Sequence, residues 1–302
     1  MAWMKTLFSA LALAVVLAAS GQPFPAAFEG QVDIGSHRLH VLRLGEKPPT
    51  VVLDVGIGES YQDWLPLLNK IAARALVVAY DRAGYGRSEI GPFPRTSERA
   101  ADELKALLDK AGIPGSYVLV GHSLGALNLQ VFAHEYGGQT AGILLLDPPP
   151  LDWILGQGFP GLLEMAKGAG RDFAAQAQAA ERSARPEDRG RAGFFRTLAS
   201  EHDEFMSPAG ARSIASIPSF GDKPLVVVAA GRANPLFGPD ADAYQKFWNE
   251  QCRKLVAKSS RGEYVLAAES RHHIHRDAPD LVLRLVNRML DELDPQRPGQ
   301  VR

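Results

Sequence analysis

The chain has 302 residues, of which 46% are hydrophobic and 22% charged, and its formal net charge is −1. This composition is typical of a globular protein, and it excludes a disordered, collagen-like or strongly basic chain. We therefore expect neither nucleic acid nor an anionic membrane surface as a partner. The length is sufficient for one large α/β domain that carries an insertion.

The first twenty residues differ from the rest. Lys5 supplies an early positive charge, and the uncharged apolar run TLFSALALAVVLAAS follows it. Ala18 and Ser20 are small residues at the usual spacing before a cleavage site at Gly21. The pattern predicts a secretory signal peptide over residues 1–20, hence a periplasmic or secreted protein with no stable membrane span after cleavage. An uncleaved anchor is the alternative, although the apolar run is shorter than the ~20 residues that a span needs.

Strand and helix patterns alternate along most of the chain. Strands are predicted over 30–45 (as a hairpin), 50–56, 75–81, 116–121, 141–147, 224–231 and 262–270, and helices over 61–73, 97–112 and 124–138 and from Pro279. Such alternation predicts an α/β fold with a mainly parallel sheet and helices on both faces. Ser97 can cap the helix 97–112, and Gly112 can end it.

The alternation stops between residues 148 and 223, where no strand is predicted. The stretch 162–185 has a helical pattern that we expect to be interrupted at its glycines. The sequence thus divides into a core (21–147 and 224–302) and a helical segment, 148–223, which we call the insertion.

A serine stands between two glycines where a strand meets a helix. Residues 119–127 read LVGHSLGAL, so that Gly121 and Gly125 lie two positions either side of Ser123. A strand, Gly-x-Ser-x-Gly and a helix together predict a nucleophile elbow, which exposes the serine hydroxyl at a sharp turn. His122 precedes the serine, so its ring cannot easily face the serine oxygen. A plain tight turn is the alternative.

With this motif in context, the chain resembles the α/β-hydrolase superfamily. Besides the elbow, the resemblance rests on YDRAGYGRSE (80–89), LDVGIGESYQDW (53–64) and ESRHHIHRDAPDLV (269–282). It implies an α/β-hydrolase fold in which the insertion is a helical cap, and it implies no metal or organic cofactor. Asp81, Arg82, Gly84 and Gly86 are expected to brace a loop rather than to catalyse.

The resemblance also implies a histidine base for the serine. The family pattern Gly-His-x-Ile-x-x-x-x-Pro aligns on Ile274 and Pro279 and selects His272 as that base. His273 and His275 are then expected to be surface or loop residues. A metal site made from the three histidines is the alternative, although no His-Glu-x-x-His motif is present.

Two backbone N–H groups are expected to form an oxyanion hole, again by resemblance. One belongs to Leu124, directly after the nucleophile. The other belongs to Ile57, because Gly56 and Gly58 allow the loop after strand 50–56 to turn inward.

The acid that orients the base has three candidates. The superfamily usually places an aspartate a few residues after the strand 224–231, but this chain has Asn234 there. Some relatives instead use the end of the preceding strand, where this chain has Asp147. We therefore expect Asp147 to be the acid, with Asp240 or Asp242 as the alternatives.

The resemblance implies a serine hydrolase that cleaves a carboxylic ester or a related small acyl substrate through an acyl-enzyme. Dehalogenases and epoxide hydrolases of the superfamily carry a carboxylate at the elbow, which Ser123 argues against. A non-catalytic ligand-binding or signalling protein on the same scaffold is the alternative, because Arg271 replaces the glycine of the family's histidine segment. Trp153, Phe159 and Phe173 are candidate pocket walls.

Overall fold

The computed structural model describes residues 27–294. The predicted signal peptide and the tail after Pro295 lie outside the described residues.

Within that range, eight strands form one sheet in the order β1-β2-β4-β3-β5-β6-β7-β8. The strands are β1 (Phe28–Asp33), β2 (Arg38–Leu44), β3 (Thr50–Asp54), β4 (Leu76–Tyr80), β5 (Tyr117–His122), β6 (Thr140–Leu146), β7 (Pro224–Ala230) and β8 (Arg261–Ala267). The predicted hairpin is β1 and β2, and β2 pairs antiparallel with β4. All other pairs are parallel, which confirms the predicted sheet.

The helices of the described range connect these strands. They are α1 (Leu65–Ala72), α2 (Ser97–Lys110), α3 (Leu124–Glu135), α4 (Leu151–Ile154), α5 (Pro160–Arg182), α6 (Pro186–Phe205), α7 (Pro208–Ala215), α8 (Ala241–Leu255), α9 (Ile274–Asp277) and α10 (Pro279–Leu293). Between residues 27 and 294, no helix combines the length and the apolar character that crossing a membrane requires.

Helices cover both faces of the sheet, and this explains why β3 to β7 are continuous apolar runs rather than alternating ones. One core packs α2, α3 and α8 on the first face, around residues such as Leu104, Phe132 and Cys252. The other packs α1 and α10 on the second face, around residues such as Leu68 and Val286. Because β3, β5, β6 and β8 run parallel to one another, their carboxyl ends lie at the same edge of the sheet.

The start of α2 differs from the prediction. Thr96, not Ser97, is the N-cap, and its side chain accepts a hydrogen bond from the N–H of Arg99. Thr and Ser are both good capping residues, so the sequence pattern does not distinguish a helix capped by Thr96 from one that is capped by Ser97 and starts one residue later. Gly112 follows the helix with a φ of +61°, as expected for a helix end.

The insertion contains α4 to α7 and no strand, as its sequence predicts. The expected glycine break in α5 is wrong, since the helix runs unbroken through Gly168 and Gly170. A Cβ at Gly170 would lie 2.5 Å from Nδ1 of His202 on α6. The glycine thus allows two helices to pack closely, and this packing outweighs its low helix propensity.

Candidate active site

Ser123 occupies the turn between β5 and α3. Its backbone has φ 52° and ψ −121°, and its N–H donates to the carbonyl of Leu146 at 3.0 Å. A non-glycine residue with positive φ is strained, and such strain is stored at functional sites. The conformation is that of the predicted elbow rather than of an ordinary tight turn.

The two glycines of the motif are required by close backbone contacts. A Cβ on Gly121 would lie 2.7 Å from Cα of Ala126, and one on Gly125 would lie 2.6 Å from the carbonyl oxygen of Val55. Both distances are too short for a real side chain. The elbow therefore packs directly against residues 55–59, which we call the glycine loop.

Asp147 and His272 are brought together by the ends of β6 and β8. The Oδ2 atom of Asp147 lies 2.7 Å from Nδ1 of His272. Asp147 also has a positive φ of 47°, its N–H donates to the carbonyl of Val228, and its Oδ1 accepts the N–H of Ala230. The carboxylate is buried and held by backbone on β7, which leaves Oδ2 for the histidine.

The contact with Asp147 determines the tautomer of the His272 ring. A carboxylate accepts a hydrogen bond, so Nδ1 carries the proton and Nε2 is left with a lone pair. The ring side chain is 30% exposed, and Trp248 lies edge-on to it with a centroid separation of 5.7 Å. Among the described residues, no hydrogen bond joins Ser123 Oγ to His272.

The alternative acids lie elsewhere. Asp240 and Asp242 are exposed at the start of α8, and neither forms a hydrogen bond or ion pair with His272 in the described structure. Asn234 accepts the N–H of Leu236 through its side-chain oxygen, which is a turn-forming role. Arg271 has no positive φ, and its N–H donates to Asp277.

The two predicted oxyanion donors have unused N–H groups. Neither Ile57 nor Leu124 donates its backbone N–H to an acceptor within residues 27–294. Leu124 is the first residue of α3, where an N–H has no partner inside its own helix. The glycine loop packs on that same helix start, so the two N–H groups belong to adjoining pieces of backbone.

Glu59 in the glycine loop was missed by sequence reasoning. Its carboxylate accepts the N–H of Gly56 at 2.8 Å and contacts Nδ1 of His122 at 3.1 Å and Nε2 of His273 at 3.2 Å. Burial alone would raise the pKa of Glu59, but the hydrogen bonds from His122, His273 and Gly56 outweigh it and hold the pKa far below its usual range. An acid directly after the Gly56-Ile57-Gly58 stretch is the only local signal for this role.

His122 turns away from the serine, as expected from its place in the elbow. Its Nε2 lies 3.0 Å from the carbonyl oxygen of His272. Because a carbonyl can only accept, Nε2 is the donor in this contact, and Nδ1 lies within hydrogen-bond distance of the Glu59 carboxylate. The chain from Glu59 through His122 thus fixes the backbone that carries His272.

The expectation for the other two histidines is correct for one of them. His273 is half-exposed beside Glu59, as a loop residue would be. His275 is not a surface residue: it is buried and stacks on Trp64 with ring centroids 3.9 Å apart. It lies on the short helix α9, whose inner face the loop pattern did not reveal. Within residues 27–294, no group of three or more His, Cys, Asp or Glu side chains has the arrangement of a metal site.

The loop after β4 is braced as predicted. Asp81 accepts the hydroxyl of Ser60 at 2.7 Å and the N–H of Arg87 at 3.1 Å. Arg82 is fully buried and reaches across to Glu201 in the insertion, a contact that the sequence did not indicate.

Aromatic side chains of the insertion and of α8 pack next to His272. The buried Tyr244 contacts Trp153 and Phe159, two of the predicted pocket walls, with centroid separations of 5.1 and 5.2 Å. It also contacts Trp248, the ring beside His272. Phe173, the third predicted wall, instead packs edge-on against His202.

Comparison with known proteins decides the family. The model of the alpha/beta hydrolase family matches residues 51–285 of this chain. The chain belongs to the alpha/beta hydrolase family. The match covers Ser123, Asp147 and the histidine segment, and it confirms the family resemblance drawn from the motifs.

Individual known proteins resemble the chain to different extents. The uncharacterized protein YqjL of Bacillus subtilis (strain 168) is 26% identical over 240 residues, which are 80% of this chain and 83% of that protein. The human (lyso)-N-acylphosphatidylethanolamine lipase is 31% identical over 107 residues, which are 34% of this chain and 31% of the lipase. The structure of the epoxide hydrolase CorEH superposes with a TM-score of 0.66 at 16% identity, covering 89% of this chain and all of that one. That likeness concerns the fold alone.

Proposed function

We propose that the protein is a serine hydrolase that cleaves a carboxylic ester or a related acyl substrate through an acyl-enzyme. Ser123 is the nucleophile, His272 the base and Asp147 the acid. The observation that carries the proposal is the 2.7 Å contact between Asp147 Oδ2 and His272 Nδ1, at the same sheet edge as a serine in a strained turn.

The proposed reaction follows from these positions. Nε2 of His272 takes the proton of Ser123 while Oγ attacks the acyl carbon, and Asp147 stabilises the imidazolium that forms. The developing oxyanion is bound by the N–H groups of Ile57 and Leu124. The histidine then protonates the leaving alcohol. A water molecule, deprotonated by His272, attacks the acyl-enzyme in the same way and releases the carboxylic acid product and the free serine. The Ser–His hydrogen bond is often long in unliganded enzymes and shortens when substrate binds.

Serine at the elbow favours acyl transfer over the other chemistries of this fold. In epoxide hydrolases and dehalogenases the elbow nucleophile is a carboxylate, which forms an alkyl ester with the substrate. The lipase name of the human relative agrees with an ester substrate, although the similarity covers only a third of either chain. We further propose that the insertion is a cap whose aromatic residues receive an apolar acyl or alcohol group.

Export is part of the proposal as well. The signal pattern of residues 1–20 predicts a mature protein that begins at Gly21 and works outside the cytoplasm. The N-terminal sequence of protein recovered from the extracytoplasmic fraction of the source cells tests this, and an intact Met1 on membrane-bound protein contradicts it.

Pre-steady-state hydrolysis of p-nitrophenyl esters tests the function. We expect a burst of p-nitrophenol that equals the enzyme concentration, followed by steady turnover, and a preferred acyl length within a series from acetate to decanoate. Ser123→Ala should show neither phase while keeping the circular dichroism and melting curve of a folded protein. A wild-type protein that is folded but shows no burst and no turnover would favour a non-catalytic ligand-binding role.

A further inference from the structure

Arg82 is a buried cation that joins the insertion to the core. Its Nε and Nη2 atoms donate to the two carboxylate oxygens of Glu201 on α6, each at 2.9 Å. Both side chains are almost fully excluded from solvent. Tyr85 donates its hydroxyl to the same carboxylate at 2.9 Å. Such a bidentate arginine–carboxylate pair has a defined orientation, because the guanidinium is planar and both hydrogen bonds to the carboxylate are directional.

The opposite side of the guanidinium faces the glycine loop. Nη1 donates to Asp54 Oδ1 at 2.6 Å and to the carbonyl of Val55 at 2.5 Å, and Nη2 donates to the carbonyl of Gly56 at 3.0 Å. A guanidinium has five N–H donors. All five are used, two on Glu201 and three on the strand end and loop.

The carbonyl of Gly56 determines where the next N–H points. The peptide bond between Gly56 and Ile57 is trans, since the cis bonds within residues 27–294 are both at prolines. In a trans peptide the C=O and the following N–H point in opposite directions. Arg82 therefore holds the Gly56 carbonyl on its own side and turns the Ile57 N–H away from itself, and that N–H has no acceptor in the described structure.

We propose that Glu201 is a positioning residue for the oxyanion hole and acts through Arg82. The carboxylate in the insertion fixes the rotation of the guanidinium, and the guanidinium fixes the peptide plane that presents the Ile57 N–H. Docking of the insertion and assembly of the hole are thereby coupled. The inference rests on the proposed function, because it assigns a further residue to the same site.

Glu201→Gln is the test variant, because it removes the charge and one acceptor while keeping the shape. The Ile57 donor acts on the transition state more than on the bound ester, so its misplacement should lower kcat by about 10- to 100-fold with little change in KM. Binding of an alkyl boronic acid, whose adduct with serine carries a tetrahedral oxyanion, should weaken by the same factor. Asp203→Asn is the matched control, since Asp203 is an exposed acid on the same helix, and it should behave like wild type.

Tyr85→Phe is the second variant, for the case in which Glu201→Gln does not fold. It removes one hydrogen bond to Glu201 without touching any charge, and it should lower kcat by about 3-fold at unchanged KM. The fraction of active protein in each preparation is taken from the burst amplitude, so that kcat is expressed per active site.

The outcomes separate the two claims. If folded Glu201→Gln shows a burst of wild-type amplitude and the full wild-type kcat, the inference is overturned and the proposed function stays in place. If Glu201→Gln does not fold, the same result in Tyr85→Phe overturns the inference. A rise in KM at constant kcat also overturns it, because that pattern belongs to a residue that only shapes the substrate pocket. If the folded wild-type protein shows neither a burst nor steady turnover, the proposed function itself is contradicted.

Discussion

At the scale of single residues, Asp147 is the side chain on which the proposed reaction depends most. Its carboxylate holds the Nδ1 proton of His272, and removing the charge while keeping the shape favours the wrong tautomer. Asp147→Asn should therefore lower kcat on the order of 10⁴-fold. Asp242→Asn is the matched control and should retain wild-type kcat, because Asp242 is exposed at the start of α8. Steady-state kinetics of both variants checks this, and the reverse order would make Asp242 the acid.

The two neighbouring histidines give a second comparison. His272→Ala should lose at least on the order of 10⁴-fold in kcat, since members of a triad act as a unit. His273→Ala removes a half-exposed ring whose one acidic contact within residues 27–294 is Glu59, and we expect it to keep at least a tenth of the wild-type kcat. If His273→Ala were the more damaged variant, the alignment on Ile274 and Pro279 would be wrong.

His275 predicts a pH dependence of stability. Burial lowers its pKa from 6.5 to about 3, and both ring nitrogens lack a hydrogen-bond partner in the described structure. The unfolded histidine binds a proton below pH 6.5 while the folded one stays neutral, so acidification favours unfolding across this window.

Replacing His275 by phenylalanine should remove this contribution and keep the stacking on Trp64. At pH 5 the histidine costs about 2 kcal/mol of stability relative to neutral pH. His275→Phe should thus gain stability over wild type as the pH falls from 7 to 5, as measured by urea unfolding at both values. If the difference in the free energy of unfolding between the two proteins were the same at pH 7 and at pH 5, His275 would not be buried in its neutral form.

At the scale of elements, the glycines of α5 differ in what surrounds them. A Cβ on Gly168 would meet only the Arg171 side chain, at an ordinary 3.6 Å, whereas one on Gly170 would collide with His202. Gly168→Ala should stabilise the protein by about 0.5–1 kcal/mol through helix propensity. Gly170→Ala has the same propensity gain but should destabilise the protein. Thermal melts of both variants test this, and equal gains would indicate that α6 does not pack against Gly170.

The elements that the sequence predicted well are those with a strong local pattern. Continuous apolar runs flanked by turn residues define the buried strands, and the spacing of Leu104, Leu107 and Leu108 defines the inner face of α2. The two errors have different causes, one tertiary and one local. The break expected in α5 is absent because Gly170 allows α5 and α6 to pack closely. The N-cap of α2 is Thr96 rather than Ser97, because either of these adjacent residues can cap a helix.

At the scale of the whole molecule, the residues of the candidate active site also differ in whether a local sequence pattern reveals them. Ser123 and His272 stand in local motifs, so they could be proposed from the sequence, and Asp147 could be chosen because Asn234 occupies the usual position of the acid. Glu59 meets His122 from 63 residues away, and Glu201 meets Arg82 from 119 residues away. No local pattern encodes such pairs, because they exist only once the sheet and the insertion have been packed together.

The whole molecule also places the proposed chemistry at the joint between core and insertion. Arg82 contacts both, and Trp248 links the aromatic cluster around Tyr244 to the ring of His272. A substrate that enters beneath the insertion would contact these aromatic residues as it reaches Ser123. We therefore expect the specificity of the proposed hydrolase to change with substitutions in the aromatic cluster, while its proposed nucleophile, base and acid belong to the core.

The central claim is that Ser123 is an activated nucleophile. The most direct measurement is the site of covalent modification after brief treatment of the folded protein with an alkyl fluorophosphonate, mapped by peptide mass spectrometry. We predict one adduct per chain, on Ser123, that is absent in Ser123→Ala and greatly slowed in His272→Ala. An adduct on another residue, or a wild-type protein that stays unmodified under conditions that label a known serine hydrolase, would contradict the account.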